Sequence, residues 1–328
     1  MRLRNSFLFV TGAFLSQSAL AVCTVDPDPQ FGGANRTTLT IPGYTFYVDA
    51  GAPVSDTPLN FKNSTMQNVT LSFKDCVDGE AYGKTALPPL APTGKKNYFT
   101  TSVEGISVRP RWNNGAAFGH FPSISSMDQN RFNYPPASFF QLEFVKTSPR
   151  LKLTDPNGDV VLSPGTILRN WVTSDTAANY GQLLNIGEIR VISIPNCTID
   201  GPKTVNFGQL GERDLISGVE KNLDFSLRCA TDYGSYSASA SLITATPNAD
   251  GTIPVTDSAG NTDRLKIQIT DSNNRNMPAD DSAKEDRAQV ADEVPVNYSW
   301  KATLTKNGNV LPEEGNFTAK AEILLVVN

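Results

Sequence analysis

The sequence has little of the chemistry that catalysis needs. It contains one histidine, His120, and no Gly-x-Ser-x-Gly, His-Glu-x-x-His or glycine-rich phosphate-binding motif. One histidine excludes a site built on paired histidines, and the sequence implies no metal and no cofactor. A Ser-His-Asp triad on His120 is an open alternative, but we prefer a solvated loop residue within "FGHFP". We therefore expect a protein that is not an enzyme.

Long apolar runs are also missing beyond the start of the chain, so no membrane insertion is expected. Residues 1–21 have the pattern of a signal peptide, with Arg2 and Arg4 before the apolar "FLFVTGAFL" and an Ala19-Leu20-Ala21 cleavage site. A non-cleaved anchor is the alternative. Cleavage before Val22 would remove both arginines and change the formal net charge from −5 to −7. Such an acidic, exported chain argues against nucleic acid or an anionic membrane surface as a partner.

Cysteine is scarce, and all four cysteines follow the predicted cleavage site: Cys23, Cys76, Cys197 and Cys229. Their spacing matches no zinc-binding pattern. In an oxidising compartment an even number of cysteines predicts two disulfides. Of the possible pairings we favour Cys23–Cys76 with Cys197–Cys229, because this choice places one bridge in each half of the chain.

Short alternating runs separated by turn residues are what the chain has in quantity, and they are typical of β-sandwiches. The main runs lie at residues 38–49, 68–76, 105–112, 139–147, 222–229, 237–246, 265–270, 298–306 and 317–327. The charged stretch 280–294 has no clear helical period, and we predict a loop with a short helical turn there. Asp155, Asn157 and Asp159 have calcium-loop spacing, but Thr166 stands where a bidentate Glu is needed, which favours a hairpin turn.

The chain divides near "ISIPNC" (192–197). Each side has two cysteines and its own strands, and Ile194-Pro195-Asn196 is expected to be a short, stiff linker. The predicted fold is therefore all-β, with two sandwich domains at 22–193 and 197–328 joined by residues 194–196.

The second half carries a specific combination of features. Cys197 is followed by "TVNFGQLG" (204–211), then by "FSLRC" ending at Cys229, and the chain finishes with "GNFTAKAEILLVVN" (315–328). This combination resembles the pilin domain of chaperone–usher fimbriae. The resemblance implies an immunoglobulin-like sandwich that lacks its final strand and is completed by a strand from a partner. The residues implied to line the groove for that strand are Phe317, Ala319, Ala321, Ile323, Leu325 and Val327.

The first half is similar to the receptor-binding domain of two-domain fimbrial tip adhesins, over the stretches 103–112, 140–147 and 160–181. Cys23 is the second residue after the predicted cleavage site, so no N-terminal extension is expected for donation to a neighbouring subunit. The resemblance then implies an exported subunit that reaches the cell surface through the periplasm and lies at the fimbrium tip. The implied partners are a periplasmic chaperone, an outer-membrane usher, the N-terminal extension of the next pilin subunit, and a host-surface glycan or glycoprotein.

A distant resemblance to the mannose-binding tip adhesin of type 1 fimbriae suggests where a ligand binds. The matching stretches are the mature N-terminus, "VDGEAY" (77–82) and "RNWVTSDTAANY" (169–180). Their polar candidates are the Val22 amine, Asp78, Asn170, Asp175 and Asn179, and the aromatic candidates are Tyr82, Trp171 and Tyr180. Ordinary solvated loop residues are the alternative interpretation.

A second candidate site is a basic and aromatic cluster: Arg109, Arg111, Trp112, Phe118 and His120. Trp112 has the opposite strand parity to the two arginines, and we expect it in the core. Two other functions stay open. One is a non-adhesive capping or adaptor subunit of the fimbrial tip, and the other is a secreted hydrolase that uses loop carboxylates such as Asp78 and Asp175.

Overall fold

The computed structural model describes residues 23–28, 30 and 36–328, and these residues are almost entirely β-strand and loop. The predicted signal peptide and Val22 lie outside the described residues. The predicted all-β class is confirmed. Within the described residues no helix has the length and apolar character that crossing a membrane would need.

We call residues 23–194 the N-terminal part. Its strands are β1 (Thr24–Val25), β2 (Thr37–Ile41), β3 (Tyr44–Asp49), β4 (Asn60–Asn63), β5 (Leu71–Lys74), β6 (Ala81–Ala86), β7 (Phe99–Thr100), β8 (Ile106–Asn113), β9 (Phe118–His120), β10 (Ser123–Ser126), β11 (Phe132–Tyr134), β12 (Phe139–Lys146), β13 (Asp159–Leu162), β14 (Gly165–Val172), β15 (Tyr180–Ile186) and β16 (Ile189–Ile194). Residues 196–328 form the C-terminal part, with β17 (Asn196–Ile199), α1 (Glu212–Ser217), β18 (Val219–Ala230), β19 (Ser235–Ile243), β20 (Ile253–Val255), β21 (Leu265–Thr270), β22 (Glu285–Ala291), β23 (Val296–Lys306) and β24 (Glu322–Val327).

Two large sheets of the N-terminal part pack face to face. One has the order β10-β6-β14-β15-β2, and the other has the order β4-β12-β8-β7 with β9 beside β8. Leu168 and Leu184 from the first sheet share one buried cluster with Leu142 and Phe144 from the second. Alternate side chains of each strand point into this core, which explains the period-2 pattern of the sequence.

A smaller sheet, β13-β16-β3, continues the sandwich. Two neighbouring segments of the chain, β2–β3 and β15–β16, pass from the large sheet to this small sheet side by side. β2 runs parallel to β15 in the large sheet, and after a short break β3 runs parallel to β16 in the small one. At this break a Cβ on Gly187 would lie 2.3 Å from the backbone nitrogen of Gly43. The paired glycines therefore let the two backbones touch where the predicted single run 38–49 divides into two strands.

The C-terminal part is a second sandwich, formed by the sheet β17-β18-β23-β21-β20 and the sheet β22-β19-β24. Its core contains fully buried Trp300 and Tyr298, and Phe225 stacks on Tyr298 with ring centroids 4.8 Å apart. The described strand pairings of this part all lie within residues 196–328. The domain boundaries at 193 and 197 stay a prediction.

One secondary-structure prediction in this part was wrong. The stretch 280–294, predicted as a loop with a helical turn, contains β22, which pairs with β19. Its charged side chains are accommodated because Glu285 is buried and accepts a hydrogen bond of 2.6 Å from Trp300 Nε1. The helix lies instead at α1, where the Asp214 carboxylate accepts a hydrogen bond from the Gly211 backbone at 2.8 Å and so caps the first turn.

The two parts meet where the loop between β18 and β19 enters the N-terminal part. The buried Asp232 carboxylate accepts hydrogen bonds from the Leu151 backbone at 2.8 Å and from Ser193 Oγ at 2.6 Å. The adjacent Tyr233 packs against the N-terminal core, and its hydroxyl accepts a hydrogen bond from the Ser193 backbone at 3.0 Å. Polar and apolar contacts together therefore tie the two parts to each other.

Candidate functional site

The predicted ligand residues that lie in the described part of the chain gather at one end of the sheet β6-β14-β15. Trp171 pairs with Gly83 on one side and with Tyr180 on the other. The loop 173–179 then folds back, and the Thr173 backbone donates a hydrogen bond of 2.7 Å to the Ala81 carbonyl at the start of β6. Asp78 lies in the exposed turn just before that point. Strand pairing thus brings together stretches that are about ninety residues apart in the sequence.

Two of the predicted ligand residues are not at the surface. Asn170 is 1% exposed, and its Nδ2 donates a hydrogen bond of 2.9 Å to Gln182 Oε1. Trp171 is 4% exposed, and its Nε1 donates to Thr85 Oγ1 at 3.0 Å. Both side chains therefore have structural partners, and neither presents a polar group to solvent in this conformation.

Asp175 is held by its neighbours. Its Oδ1 accepts two hydrogen bonds from the Arg169 guanidinium at 2.9 and 2.6 Å, and its Oδ2 accepts one from Thr85 Oγ1 at 2.7 Å. Arg169 and Thr85 are cross-strand partners on β14 and β6. The carboxylate position is fixed by this arrangement, and charge-assisted bonds of this kind are about twice as strong as neutral ones.

The remaining aromatic candidates lie in two different places. Tyr82 packs on Phe132 with ring centroids 4.5 Å apart, beside the Cys23–Cys76 bridge. The Trp171 indole covers Gly83, the residue that follows Tyr82 on β6. Successive side chains of a strand point to opposite faces. Tyr82 and Trp171 therefore line opposite faces of the sheet and do not form one wall.

Tyr180 and Asn179 remain at the rim of the site. Tyr180 is half-buried, with the Arg36 guanidinium carbon 5.3 Å from its ring centroid. Asn179 Nδ2 donates to Ser174 Oγ at 2.7 Å, which leaves its amide oxygen for other partners. With the exposed Asp78 and Asp175, these partly exposed residues form a polar rim at this end of the sheet.

A polar interior lies beneath this rim and was missed by the sequence analysis. Gln182 Nε2 donates to Ser138 Oγ at 2.8 Å and also contacts Gln67. Lys84, the cross-strand partner of Asn170, donates to Ser123 Oγ at 3.0 Å, and burial lowers its pKa. Nothing in a single sequence separates such buried polar residues from exposed ones, because they alternate with apolar residues in the same way.

The second candidate cluster is an ion-paired surface. Arg109 Nε and Arg111 Nη1 contact the two carboxylate oxygens of Glu143 at 2.5 and 3.0 Å. Trp112 points inwards, as its parity predicted, and its ring meets that of Tyr134 edge-on at 5.8 Å. Glu143 was not predicted, although its alternation with apolar residues in "FQLEF" places it on the outward face of β12.

The predicted strand groove lies at the end of the chain. β24 begins at Glu322, later than predicted, because residue Thr318 pairs with Thr256 beyond β20 and the chain then crosses to the other sheet. Within the described residues, β19 is the strand with which β24 pairs, so β24 lies at the edge of its sheet. Of the six predicted groove residues, four are partly buried against the core: Phe317, Ile323, Leu325 and Val327.

Ala319 and Ala321 differ from the other predicted groove residues. Both are exposed, and they lie in the segment that crosses between the sheets. Phe317, just before this segment, faces Phe207 with ring centroids 6.5 Å apart. The half-covered apolar side chains thus follow the free edge of β24 and continue towards residue 207.

Disulfides join Cys23 to Cys76 and Cys197 to Cys229, as predicted. In the described part of the chain, the group of side chains with metal-ligand spacing consists of Cys23, Cys76 and Glu80, and the two sulfurs are bonded to each other. The Asp155 carboxylate accepts the Asn157 backbone N–H at 2.9 Å, and Gly158 closes the turn. These contacts form a turn, but β13 after it pairs with β16 and not with the chain before the turn, so the predicted hairpin was wrong.

Comparison with family models matches residues 188–328 to the family described as "Fimbrial protein". Over this region the chain is similar to fimbrial proteins, which confirms the resemblance found in its second half. Comparison with curated protein sequences gives no match.

Several solved structures are similar to the chain. The receptor binding domain of the adhesin MrkD1P of Klebsiella pneumoniae is 17% identical, with a TM-score of 0.40, and the match covers 51% of this chain and 96% of that chain. The chaperone–tip adhesion subunit complex CsuC–CsuE of Acinetobacter baumannii is 12% identical, with a TM-score of 0.43, and the match covers 88% of this chain and 98% of that chain. The CupB6 tip adhesin of Pseudomonas aeruginosa is 13% identical, with a TM-score of 0.34, and the match covers 93% of this chain and 94% of that chain.

Proposed function

We propose that this protein is a fimbrial tip adhesin, with a receptor-binding domain at 22–193, a linker at 194–196 and a pilin domain at 197–328. The observation that carries the proposal is the edge strand β24 at the end of a region that matches fimbrial proteins. The protein acts by binding and by assembly, and it is not an enzyme.

Assembly takes place at the free edge of β24. An edge strand presents unpaired backbone N–H and C=O groups, and an added strand satisfies them while covering the apolar side chains beside them. Each apolar side chain that becomes fully buried contributes roughly 1.5–3 kcal/mol. A periplasmic chaperone supplies the strand first, and the N-terminal extension of the next pilin subunit replaces it as the outer-membrane usher exports the growing fimbria.

Receptor binding is assigned to the N-terminal part. The exposed rim formed by Asp78, Asp175, Asn179 and Tyr180 offers carboxylates, an amide and one aromatic ring, which suit the hydroxyl groups and C–H faces of a sugar. The Val22 amine completes this set as a prediction. The ligand is a glycan or glycoprotein on a host surface, met at the fimbrium tip outside the cell.

The strand-acceptor function is tested by fusing a donor strand after Asn328. The unfused chain, expressed without a chaperone, should aggregate or be degraded, and a fused strand of alternating apolar residues should yield a soluble, cooperatively folding protein. A matched fusion whose apolar residues are replaced by serine should fail, because it adds backbone partners without the buried surface. A stable monomer without any fused strand would refute the proposal.

A structural capping or adaptor subunit is the second candidate, and one observation favours it. Asn170 and Trp171 are buried, and Asp175 is ion-paired, so part of the predicted ligand set already has partners. A glycan array and a panel of matrix proteins separate the two functions when probed with the strand-complemented chain. Binding that is lost in Asn179→Ala or Tyr180→Ala supports adhesion, and no binding to either class leaves the structural role.

A further inference from the structure

The outward face of the sheet β4-β12-β8-β7 carries polar, cationic and aromatic side chains in cross-strand rows. On β12 the side chains of Phe140, Leu142 and Phe144 lie in the core, so the alternate residues point away from it. We call this outward surface the cationic face, and its middle row is Asn63, Gln141, Arg111 and His120. It lies on the opposite side of the sandwich from β6, β14 and β15, since both sheets share one core.

The middle row is a line of polar side chains in which Asn63 and His120 are exposed and Arg111 is half-buried, whereas Gln141 is 7% exposed. Asn63 pairs with Gln141, Gln141 with Arg111, and Arg111 with His120. Gln141 Nε2 donates to Asn63 Oδ1 at 2.9 Å, which orients both amides. At about 4.8 Å between strands the row extends roughly 14 Å, enough to contact several successive groups of an extended ligand.

Arg111 is the central cation of this row. Its Nη1 pairs with Glu143 at 3.0 Å, and its guanidinium carbon lies 4.6 Å from the centroid of the Phe118 ring. Its Nε is shielded from solvent and has no hydrogen-bond partner among the described residues. Arg109 takes the other oxygen of Glu143, so this single buried carboxylate is shared by two arginines.

The surroundings of the row are positively charged. Lys95 is ion-paired with Asp56 beside Arg109, and Lys96 is exposed nearby. Four cations, Arg109, Arg111, Lys95 and Lys96, are thus set against two carboxylates, Asp56 and Glu143, although the whole chain has a net charge of −5.

His120 reports this local charge. Burial lowers its pKa below 6.5, and the charges of Arg111, Arg109 and Lys96 lower it further, against an opposing effect of Glu143. The imidazole is therefore neutral at neutral pH and can both donate and accept a hydrogen bond. An anion bound beside it would reverse the effect of the neighbouring cations.

Aromatic rings flank the middle row on both sides. Phe61, the cross-strand partner of Glu143, is 60% exposed. On the other side Phe118 and Phe139 are half-buried and meet edge-on, with ring centroids 5.8 Å apart. Rings that are at least partly exposed can cover the C–H faces of a ligand, while the row between them satisfies its polar groups.

From this arrangement we infer that the cationic face binds an acidic polysaccharide, a chain of hexoses that carry sulfate or carboxylate groups. The planar guanidinium of Arg111 matches the geometry of both anions, and the exposed Asn63 amide and the imidazole match sugar hydroxyls. Charge complementarity selects this occupant, because a neutral glycan would leave the excess cations unpaired. The inference rests on the proposed function, which exposes the N-terminal part to a host surface.

The test uses the full mature chain with a donor strand fused after Asn328. Immobilised heparin, which carries sulfates and carboxylates, hyaluronan, which carries carboxylates alone, and neutral dextran are the probes. We expect binding to heparin that weakens as salt is raised, and no binding to dextran. Binding to hyaluronan as well would identify carboxylates as sufficient, and its absence would identify sulfate as required. No binding to heparin, or equal binding to dextran, would overturn the inference.

Three variants assign the binding to this face. Arg111→Gln should weaken heparin binding about ten-fold or more, the effect of losing a charged hydrogen bond. Lys152→Gln removes the same charge from an exposed lysine outside the face, and it should leave binding unchanged. Asn63→Asp, at an exposed position, should weaken binding about three-fold through charge repulsion alone, without disturbing the buried Glu143.

The heparin measurements and the stability of the strand-complemented chain test two different proposals. Heparin binding that is unchanged in both Arg111→Gln and Asn63→Asp, with wild-type thermal unfolding, would overturn the assignment to this face. Failure of the fused strand to stabilise the chain would instead count against the proposed assembly function, whatever the outcome with heparin.

Discussion

Gly83 lies directly beneath the indole of Trp171, and this single contact shapes the rim of the proposed receptor site. A Cβ at Gly83 would be 2.4 Å from Trp171 Cζ2 and 2.6 Å from the backbone oxygen of Ser123. The second atom belongs to the neighbouring strand β10, so it cannot move aside as a side chain can. Glycine is needed here because the indole packs directly against the Gly83 backbone. In this position Trp171 Nε1 can donate its hydrogen bond to Thr85 Oγ1.

We predict that Gly83→Ala lowers the free energy of unfolding by about 1–3 kcal/mol, the usual cost of overpacking. Urea unfolding of the strand-complemented chain, followed by tryptophan fluorescence, measures the change. Gly94→Ala is the matched control, because no atom lies within 4 Å of a Cβ built there. Equal stability of Gly83→Ala and wild type would show that Trp171 does not pack as described.

At the scale of elements, β24 has two unlike sides. Ile323, Leu325 and Val327 are half-buried against the core, whereas Val326 is 46% exposed. The strand pairs with β19 along one edge, and the Asn328 backbone continues the ladder to Ser237 at 2.9 Å. A strand added along the other edge would therefore cover side chains that the present fold covers only in part.

We predict that Leu325→Ser lowers the free energy of unfolding of the strand-complemented chain by about 2 kcal/mol, the value of burying one leucine side chain. Val326→Ser, one residue along on the other side of the strand, should change it by less than about 0.5 kcal/mol. Denaturant titration of both variants gives the comparison. Equal losses would mean that the fused strand does not cover the Leu325 side.

Elements were predictable where their side chains alternate over several residues, as in β8, β12, β18 and β23. The pattern failed where a strand changes partners. The run 38–49 divides at Gly43, and the run 317–327 begins pairing with β19 only at Glu322, because the partner strands belong to different sheets on either side of each break. It also failed at β22, whose pairing with β19 holds a charged segment extended.

At the scale of the whole molecule, the joint between the two parts is built from contacts in both directions. Asp232 and Tyr233 of the C-terminal part enter the N-terminal part, and Arg150 reaches back to Asp292 at 2.9 Å and also contacts Glu293. Beside the joint lies a cleft of about 300 Å³ lined by Gly51, Arg150, Asn196, Thr198, Arg228, Ala230 and Glu293. Reciprocal contacts of this kind hold the two parts together through more than residues 194–196.

We predict that Asp232→Ala loosens this joint. The variant leaves the Leu151 backbone N–H and the Ser193 hydroxyl without their acceptor, which costs about 1–3 kcal/mol for each buried group left unsatisfied. Hydrogen exchange followed by mass spectrometry should then show about ten-fold faster exchange in the peptide that contains Leu151. Asp224→Ala, at an exposed position on β18, should leave the exchange there unchanged. Unaltered protection in Asp232→Ala would show that other contacts hold the joint.

The β class, the turn positions and the resemblance of the second half to pilin domains could be predicted from the chain alone. These properties depend on local alternation and on short motifs, which a single chain displays directly. The preferred cysteine pairing also agreed with the structure, because each bridge closes a loop within its own half.

The chain alone could not predict which polar residues face solvent or which charges lie close together. Asn170 and Trp171 point to opposite faces of β14, yet both side chains are buried. Arg111, Gln141 and Asn63 are far apart in an acidic chain, yet antiparallel register aligns them in one row. The physical reason is that burial and electrostatic potential depend on partners from distant segments, and strand register chooses those partners.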